Sequence, residues 1–311
     1  MTRPVVVLSR AQWEPRARAH ERRAARHADP FVARRHRGAK HPVEDFLFTY
    51  YTLKPAQLKR WHPGAGVVLL DAAGRAGEKF YRPLHEHELA ALGLGPDAGA
   101  VTVDDDAFRD RRGPALDFTR AVLGAHAANP GFFGCFGLHE WAMAYRSEEN
   151  GLRHEHLGLR LGAAGTDAVV ESSRIRCTHF DAFRFFQPQA AALNELQPTR
   201  ESQRRLEQPG CLHATMDLYK WAYKLLPAIP SELLLDCFEL ARDVRETDMQ
   251  AAPYDLADWG YEPVRIETQE GKAEYVRRQR DFAVRAAPLR HRLAEALEAV
   301  DPGRATEGAA A

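Results

Sequence analysis

The sequence predicts an α+β protein that is mainly helical and contains a small central antiparallel sheet. Long stretches near both ends of the chain, residues 9–38, 212–249 and 271–299, have helical composition or apolar residues at helical spacing. Extended patterns, in contrast, are few and short. Hydrophobic residues make up 45% of the 311 residues, so the chain has enough apolar side chains to build a core.

Residues 9–38 form the first predicted helix, with Ser9 as a suitable N-cap and Pro15 in an early turn, where proline is tolerated. Residues 1–40 contain eleven Arg or Lys and three acidic residues, a net charge of +8 in a chain whose formal net charge is zero. We expect a basic helical N-terminal segment that either meets phosphates or is simply a solvated helix surface.

Short elements follow this helix. Pro42 and Pro55 each begin a short helical turn, and residues 66–70 read as a strand that ends at a turn. The Gly- and Asp-rich residues 71–115 predict loops with one or two short helices, and residues 116–130 predict a further helix.

A β-hairpin is predicted in the middle of the chain. Leucines alternate with polar residues over 152–161, and residues 169–180 also show a period of two. The sequence GAAGTD between them resembles a turn. We therefore expect these two segments to pair as antiparallel strands.

The C-terminal third predicts helices at 212–226, 231–249 and 271–299, with Ser231 as a natural cap. We expect residues 41–300 to form a single globular domain and residues 301–311 to be a flexible tail.

Composition limits the cellular context. The four cysteines are far apart and form no CxxC pair, which disfavours a Cys-only zinc site or a secreted disulfide framework. No apolar run approaches the length of a membrane span, and Val5 to Leu8 is too short for a secretory signal. We expect a cytoplasmic protein with no membrane partner.

Histidine is frequent, with 14 copies. On the predicted hairpin His154 and His156 share one strand face, and His179 on the partner strand completes a possible ligand set with Asp181. Three histidines and a carboxylate suit zinc or iron. The alternative is a group of hydrogen-bonded histidines on a half-buried sheet.

A second pair of polar residues lies on a predicted helix. His213 and Asp217 are four residues apart and therefore share a helix face. A carboxylate at this position can fix the tautomer of the histidine and raise its pKa. The pair is either a general acid–base pair or a local helix contact.

Aromatic and cationic residues alternate over 50–62, a mixture that stacks on bases and pairs with phosphates. The members singled out for substrate binding are Tyr50, Tyr51, Lys54, Arg60 and Trp61. Asp45 lies just before them and supplies a carboxylate. The alternative is an aromatic patch of ordinary core.

Several segments carry a resemblance that spans most of the chain, from about Pro4 to about Leu293. They are KHPVEDFLFTYYTLKPAQLKRWHPG, CFGLHEWAMAYR, LRHEHLGLRL, THFDAFRFF, QPGCLHATMDLYKWAYKL and ELARDVRETDMQAAPYDL. They resemble a family of actinobacterial proteins commonly labelled 3-methyladenine DNA glycosylase. The resemblance implies DNA repair by hydrolysis of the N-glycosidic bond of an alkylated purine, with DNA as partner.

Under this first hypothesis a damaged base would flip into a pocket lined by Tyr50, Tyr51 and Trp61. Asp45 or Asp181 would orient water or stabilise the sugar cation. Lys54, Arg60 and the N-terminal segment would contact the DNA backbone.

The second hypothesis is a metal-dependent enzyme that acts on a small molecule. His154, His156 and His179 would hold the zinc or iron ion. Asp181, His213 or Asp217 would be a fourth ligand or an acid–base group. A third hypothesis is a non-catalytic partner of nucleic acid or protein that uses the basic N-terminal segment.

Overall fold

The computed structural model describes residues 5–152 and 156–300. Its sheet has four short strands, β1 (Val6–Leu8), β2 (Val67–Leu69), β3 (Tyr81–Pro83) and β4 (Val101–Val103). The strand order is β1-β2-β4-β3. β1 and β2 are parallel, and the other two pairs are antiparallel.

The mainly helical α+β class is confirmed, but the sheet is mixed instead of purely antiparallel. The parallel pair arises because a long helix and two short ones carry the chain from β1 to β2, a crossover that returns the second strand in the same direction.

The helices account for most of the described chain. They are α1 (Arg10–His36), α2 (Phe46–Tyr50), α3 (Pro55–Lys59), α4 (Glu86–Ala91), α5 (Asp105–Ala128), α6 (Leu138–Ala144), α7 (Ser147–Asn150), α8 (Gly162–Ser172), α9 (Phe180–Phe183), α10 (Pro188–Ala191), α11 (Gln203–Leu206), α12 (Leu212–Lys224), α13 (Ser231–Gln250) and α14 (Gln269–Val300).

The predicted helix over 9–38 is confirmed as α1. The side chain of Gln12 accepts a hydrogen bond from the Ser9 backbone N–H at 2.9 Å, which satisfies a group at the helix start. One face of α1 is buried through His20, Ala24, Ala28 and Phe31, and it packs against α3 and α13. The small alanines allow this close approach.

The predicted hairpin is wrong. Residues 162–172, which include the proposed turn, form helix α8. Leu159 makes only an isolated bridge to Tyr254, and Ile175 makes one to Asn194. The alternation of leucines is too short to specify a strand, whereas the small residues that follow are compatible with a helix.

The region 71–115 is more ordered than expected. It contains β3 and β4, and α5 begins at Asp105, well before residue 116. Asp104 caps α5, since its side chain accepts a hydrogen bond from the Ala107 backbone N–H at 3.0 Å.

The core lies around α12, α13 and α14, which pack side by side. Trp141, Tyr219, Phe238 and Tyr275 are among its fully buried side chains. Within the described ranges, none of the helices combines the length and apolarity needed to cross a bilayer. The helical bundle places polar side chains of α6, α12 and α13 next to one another, and these form the site described below.

Candidate functional site

The histidine trio predicted on the hairpin is not formed there. His154 lies outside the described residues. His156 is exposed in a turn, whereas His179 is buried at the N-cap of α9. His179 instead belongs to a buried polar cluster whose members come from α6, α9, α12 and α13.

The first part of this cluster is a triad of His139, His213 and Asp248, whose potential ligand atoms all lie within 4.8 Å of one another. His139 Nε2 and Asp248 Oδ1 are 2.9 Å apart. Both atoms are buried, and they are paired with each other. These two atoms and the His213 imidazole are close enough to bind one metal ion together, and such an ion would replace the direct contact between His139 and Asp248.

Sequence reasoning missed His139 and Asp248. In α6 every residue is buried, so a histidine followed by a glutamate within it was a usable signal. On α13 the apolar residues Leu234, Phe238 and Ala241 are followed at the same spacing by Arg245 and Asp248. Asp248 therefore lies on the buried stripe and not on the solvated face that the many charges suggested.

Arg245 orients this triad through its contact with Asp248. Its guanidinium donates to Asp248 Oδ2 at 2.9 Å and to Glu140 Oε1 at 2.8 Å. It also stacks over the Phe46 ring, 4.0 Å from the ring centroid. Such contacts hold a ligating carboxylate in one orientation.

A second triad adjoins the first. It comprises His179, Asp181 and Asp217, and its ligand atoms also lie within 4.8 Å of one another. The Lys220 ammonium bridges the two carboxylates, at 2.7 Å from Asp181 Oδ2 and 2.9 Å from Asp217 Oδ2. Tyr51 donates a hydrogen bond to Asp217 Oδ1 at 3.0 Å.

His213 joins the two triads. Its ring stacks on His179 with 5.3 Å between ring centroids and meets His139 edge-on at 4.4 Å. The predicted helix pair of His213 and Asp217 is therefore split, because each residue belongs to a different triad. Both residues nonetheless lie in the same polar cluster.

Burial and neighbouring charges set the protonation of these groups. Burial and the nearby His139 lower the pKa of His213 to about 3, so its imidazole is neutral at pH 7. Burial is the largest single influence on His139 and lowers its pKa, but the charge and hydrogen bond of Asp248 together with the charge of Glu140 outweigh burial, and the pKa lies above the ordinary value. Burial and Asp217 raise the pKa of the nearby Glu207 to about 8, so that carboxyl is protonated at pH 7.

The cluster borders two cavities. A cavity of about 200 Å³ has aromatic walls from Phe46, Tyr50 and Phe185, and the polar side chains of Asp181 and His213 also face it. A second cavity of about 20 Å³, room for one water molecule or ion, lies between the three histidines and the thiols of the nearby cysteines. The larger cavity has the position and size for a small substrate.

The other predicted site residues lie in different places. Tyr50 lines the larger cavity, and Tyr51 is buried against Asp217. Trp61 is buried elsewhere, where its indole N–H donates to Glu232 at 2.8 Å. Lys54 and Arg60 are exposed.

Asp45 forms its hydrogen bonds with residues outside the polar cluster. Its carboxylate accepts from the Arg34 guanidinium at 2.6 Å and from the His41 backbone N–H at 2.8 Å. These contacts hold the end of α1 against the start of α2.

Compared with known protein families, with curated proteins and with solved structures, the chain has no match. The functional argument therefore depends on the geometry of the polar cluster.

Proposed function

We propose that the protein is a metal-dependent enzyme that acts on a small molecule, with the metal ion held by His139, His213 and Asp248. The observation that carries this proposal is the close grouping of potential ligand atoms from His139, His213 and Asp248, which all lie within 4.8 Å of one another. Two histidines and one carboxylate are the protein ligands of many catalytic zinc and non-haem iron sites.

The charge of the cluster supports a divalent cation. Its buried or half-buried acids are Glu140, Asp181, Asp217 and Asp248. Arg245 and Lys220 oppose these four formal negative charges with two positive ones, Arg184 contacts Asp181 from the surface at 3.3 Å, and a protonated His139 adds a positive charge beside Asp248. A metal ion that displaces the His139 proton would supply this positive charge in its place.

The ligand set is also preorganised for a metal. Asp248 keeps a fixed orientation because Arg245 holds its second oxygen. His213 is neutral at pH 7, which is the form that binds a metal ion. A zinc or iron ion supplies Lewis-acid chemistry and lowers the pKa of a bound water molecule.

The larger cavity is the proposed substrate-binding site. Tyr50 and Phe185 offer flat apolar surface, and Asp181 offers a hydrogen-bond acceptor beside His213. Lys220 holds the Asp181 carboxylate in position. We propose hydrolysis as the reaction class, with Asp181 orienting the substrate.

The test is elemental analysis of protein purified without an affinity tag, at pH 7. We expect about one equivalent of zinc or iron in the natural chain and less than a tenth of an equivalent in Asp248→Asn. The matched control is Asp243→Asn, which removes an exposed carboxylate from the same helix and should retain the metal. Folded, metal-free natural protein that also fails to take up added Zn²⁺ or Fe²⁺ would refute the proposal.

A second candidate is the DNA glycosylase that the sequence resemblance implies. One observation favours it: the larger cavity places aromatic rings beside the Asp181 carboxylate, an arrangement that stacks a flipped base next to an acid. Release of 3-methyladenine from methylated DNA by the same preparation tests it. Base release that persists in Asp248→Asn and is lost in Asp181→Asn would favour this candidate over the metal enzyme.

A further inference from the structure

Lys220 lies where two carboxylates converge. Its Nζ is within 2.9 Å of both Asp181 and Asp217, and the imidazole Nε2 of His179 is 3.6 Å from the same Asp217 oxygen. One nitrogen and two carboxylate oxygens, all within 4.8 Å of one another, resemble a metal-ligand set. The cation between them, however, belongs to the chain itself.

The ligand atoms of this triad are buried and are held in fixed positions, as in a preorganised cation site. Asp217 and His179 are almost fully buried, and Asp181 is only 15% exposed. Tyr51 fixes the second oxygen of Asp217. A metal ion binds carboxylate oxygen at about 2.1 Å, so the two acids would have to close by only about 0.7 Å around an ion in place of the ammonium.

We propose that Lys220 occupies a second cation site, formed by His179, Asp181 and Asp217, and that this site takes up a divalent metal ion when a neutral residue replaces the lysine. In the natural chain the fixed ammonium supplies one positive charge at the place where a divalent ion would supply two. Lys220 is thus a positioning residue that limits the cluster to one metal ion and holds Asp181 at the cavity.

This inference is separate from the metal at the first triad, because the two sites share no ligand. Lys220→Met keeps most of the length of the side chain but removes its charge. Lys220→Arg keeps a positive charge. Lys224→Met is the matched control, since Lys224 lies one turn later on α12 and its ammonium covers the same Trp221 ring.

The experiment is zinc titration of the four tag-free proteins, followed by elemental analysis after gel filtration and by thermal unfolding with and without Zn²⁺. Lys220→Met should bind one equivalent more than the natural chain, and its unfolding temperature should rise on adding zinc by more than that of the natural chain. Lys220→Arg and Lys224→Met should match the natural chain.

The outcomes separate this inference from the proposed function. Zero equivalents in the natural chain and one in Lys220→Met would support the second site while refuting a metal at the first. Equal stoichiometry in the natural chain and Lys220→Met would overturn the inference. So would a Lys220→Met protein that remains unfolded in the presence of zinc, since the ion should replace the missing charge.

Discussion

Arg245 is a fully buried cation whose partners are all buried as well. It is 2% exposed and bonds to Glu140 and Asp248. Burying charged groups costs desolvation free energy, which is offset by the attraction between the positive and the negative groups. Removal of one partner therefore leaves the remaining charges buried without that attraction.

Replacement of this arginine should therefore be severe. We expect Arg245→Met to lower the free energy of unfolding by about 3–5 kcal/mol, measured by urea denaturation at pH 7. Arg242→Met, three residues earlier on α13 and only partly buried, should change it by about 1 kcal/mol or less. Equal effects of the two substitutions would show that the buried ion cluster has no special energetic role.

His62 is buried and should make stability sensitive to acid. Burial and the nearby Arg75 lower its pKa from 6.5 to about 3. Between pH 6.5 and pH 3 His62 binds a proton in the unfolded chain but not in the folded chain. The contribution of neutral His62 to the free energy of unfolding is therefore complete above pH 6.5 and is lost as the pH falls toward 3.

The measurement is the free energy of unfolding at pH 7 and pH 5 for the natural chain and for His62→Gln. Each pH unit below 6.5 should reduce stability of the natural chain by up to about 1.4 kcal/mol through this group. The variant should lose correspondingly less. The same loss in both proteins would mean that His62 is protonated in the folded state or does not contribute.

At the scale of the element, α1 combines a basic surface with a face of small residues. Arg23 pairs with Asp236 and Glu239 of α13, so part of its charge is used within the fold. Ala24 is fully buried against the core. The close packing of α1 depends on that small side chain.

We expect Ala24→Leu to lower the free energy of unfolding by about 1–3 kcal/mol, because the larger side chain must displace well-packed neighbours. Ala19→Leu on the exposed side of α1 should be within about 0.5 kcal/mol of the natural chain. Thermal or urea unfolding of the two variants measures the difference. A neutral Ala24→Leu would contradict the tight packing of α1.

For the whole molecule, the sequence predicts the long helices well, except for the first half of α5, and it predicts the site poorly. Helical composition and apolar spacing located α1, α12, α13 and α14 because these signals are local, although Pro230 and not the predicted Ser231 is the N-cap of α13. The hairpin failed because Leu157 to Leu161 alternate over too few residues to outweigh the helix that follows. Local patterns cannot detect pairings made by the tertiary fold.

The candidate site illustrates the same limit. His179, Asp181, His213 and Asp217 were identified from the sequence as members of one possible site, but their association with His139 and Asp248 was not. His139 and Asp248 are 109 positions apart, and only the packing of α6 against the end of α13 brings them into contact. Nothing in the spacing of such distant residues reports their proximity.

The burial of Trp141 has an optical consequence. This indole is 0% exposed, lies two residues after His139 and donates its N–H to the Ala251 carbonyl at 2.8 Å. A fluorophore that is shielded from water in this way emits toward the blue end of its range. Since it lies so close to the polar cluster, a paramagnetic ion there would quench it, and the chain therefore carries a built-in spectroscopic probe of its own interior.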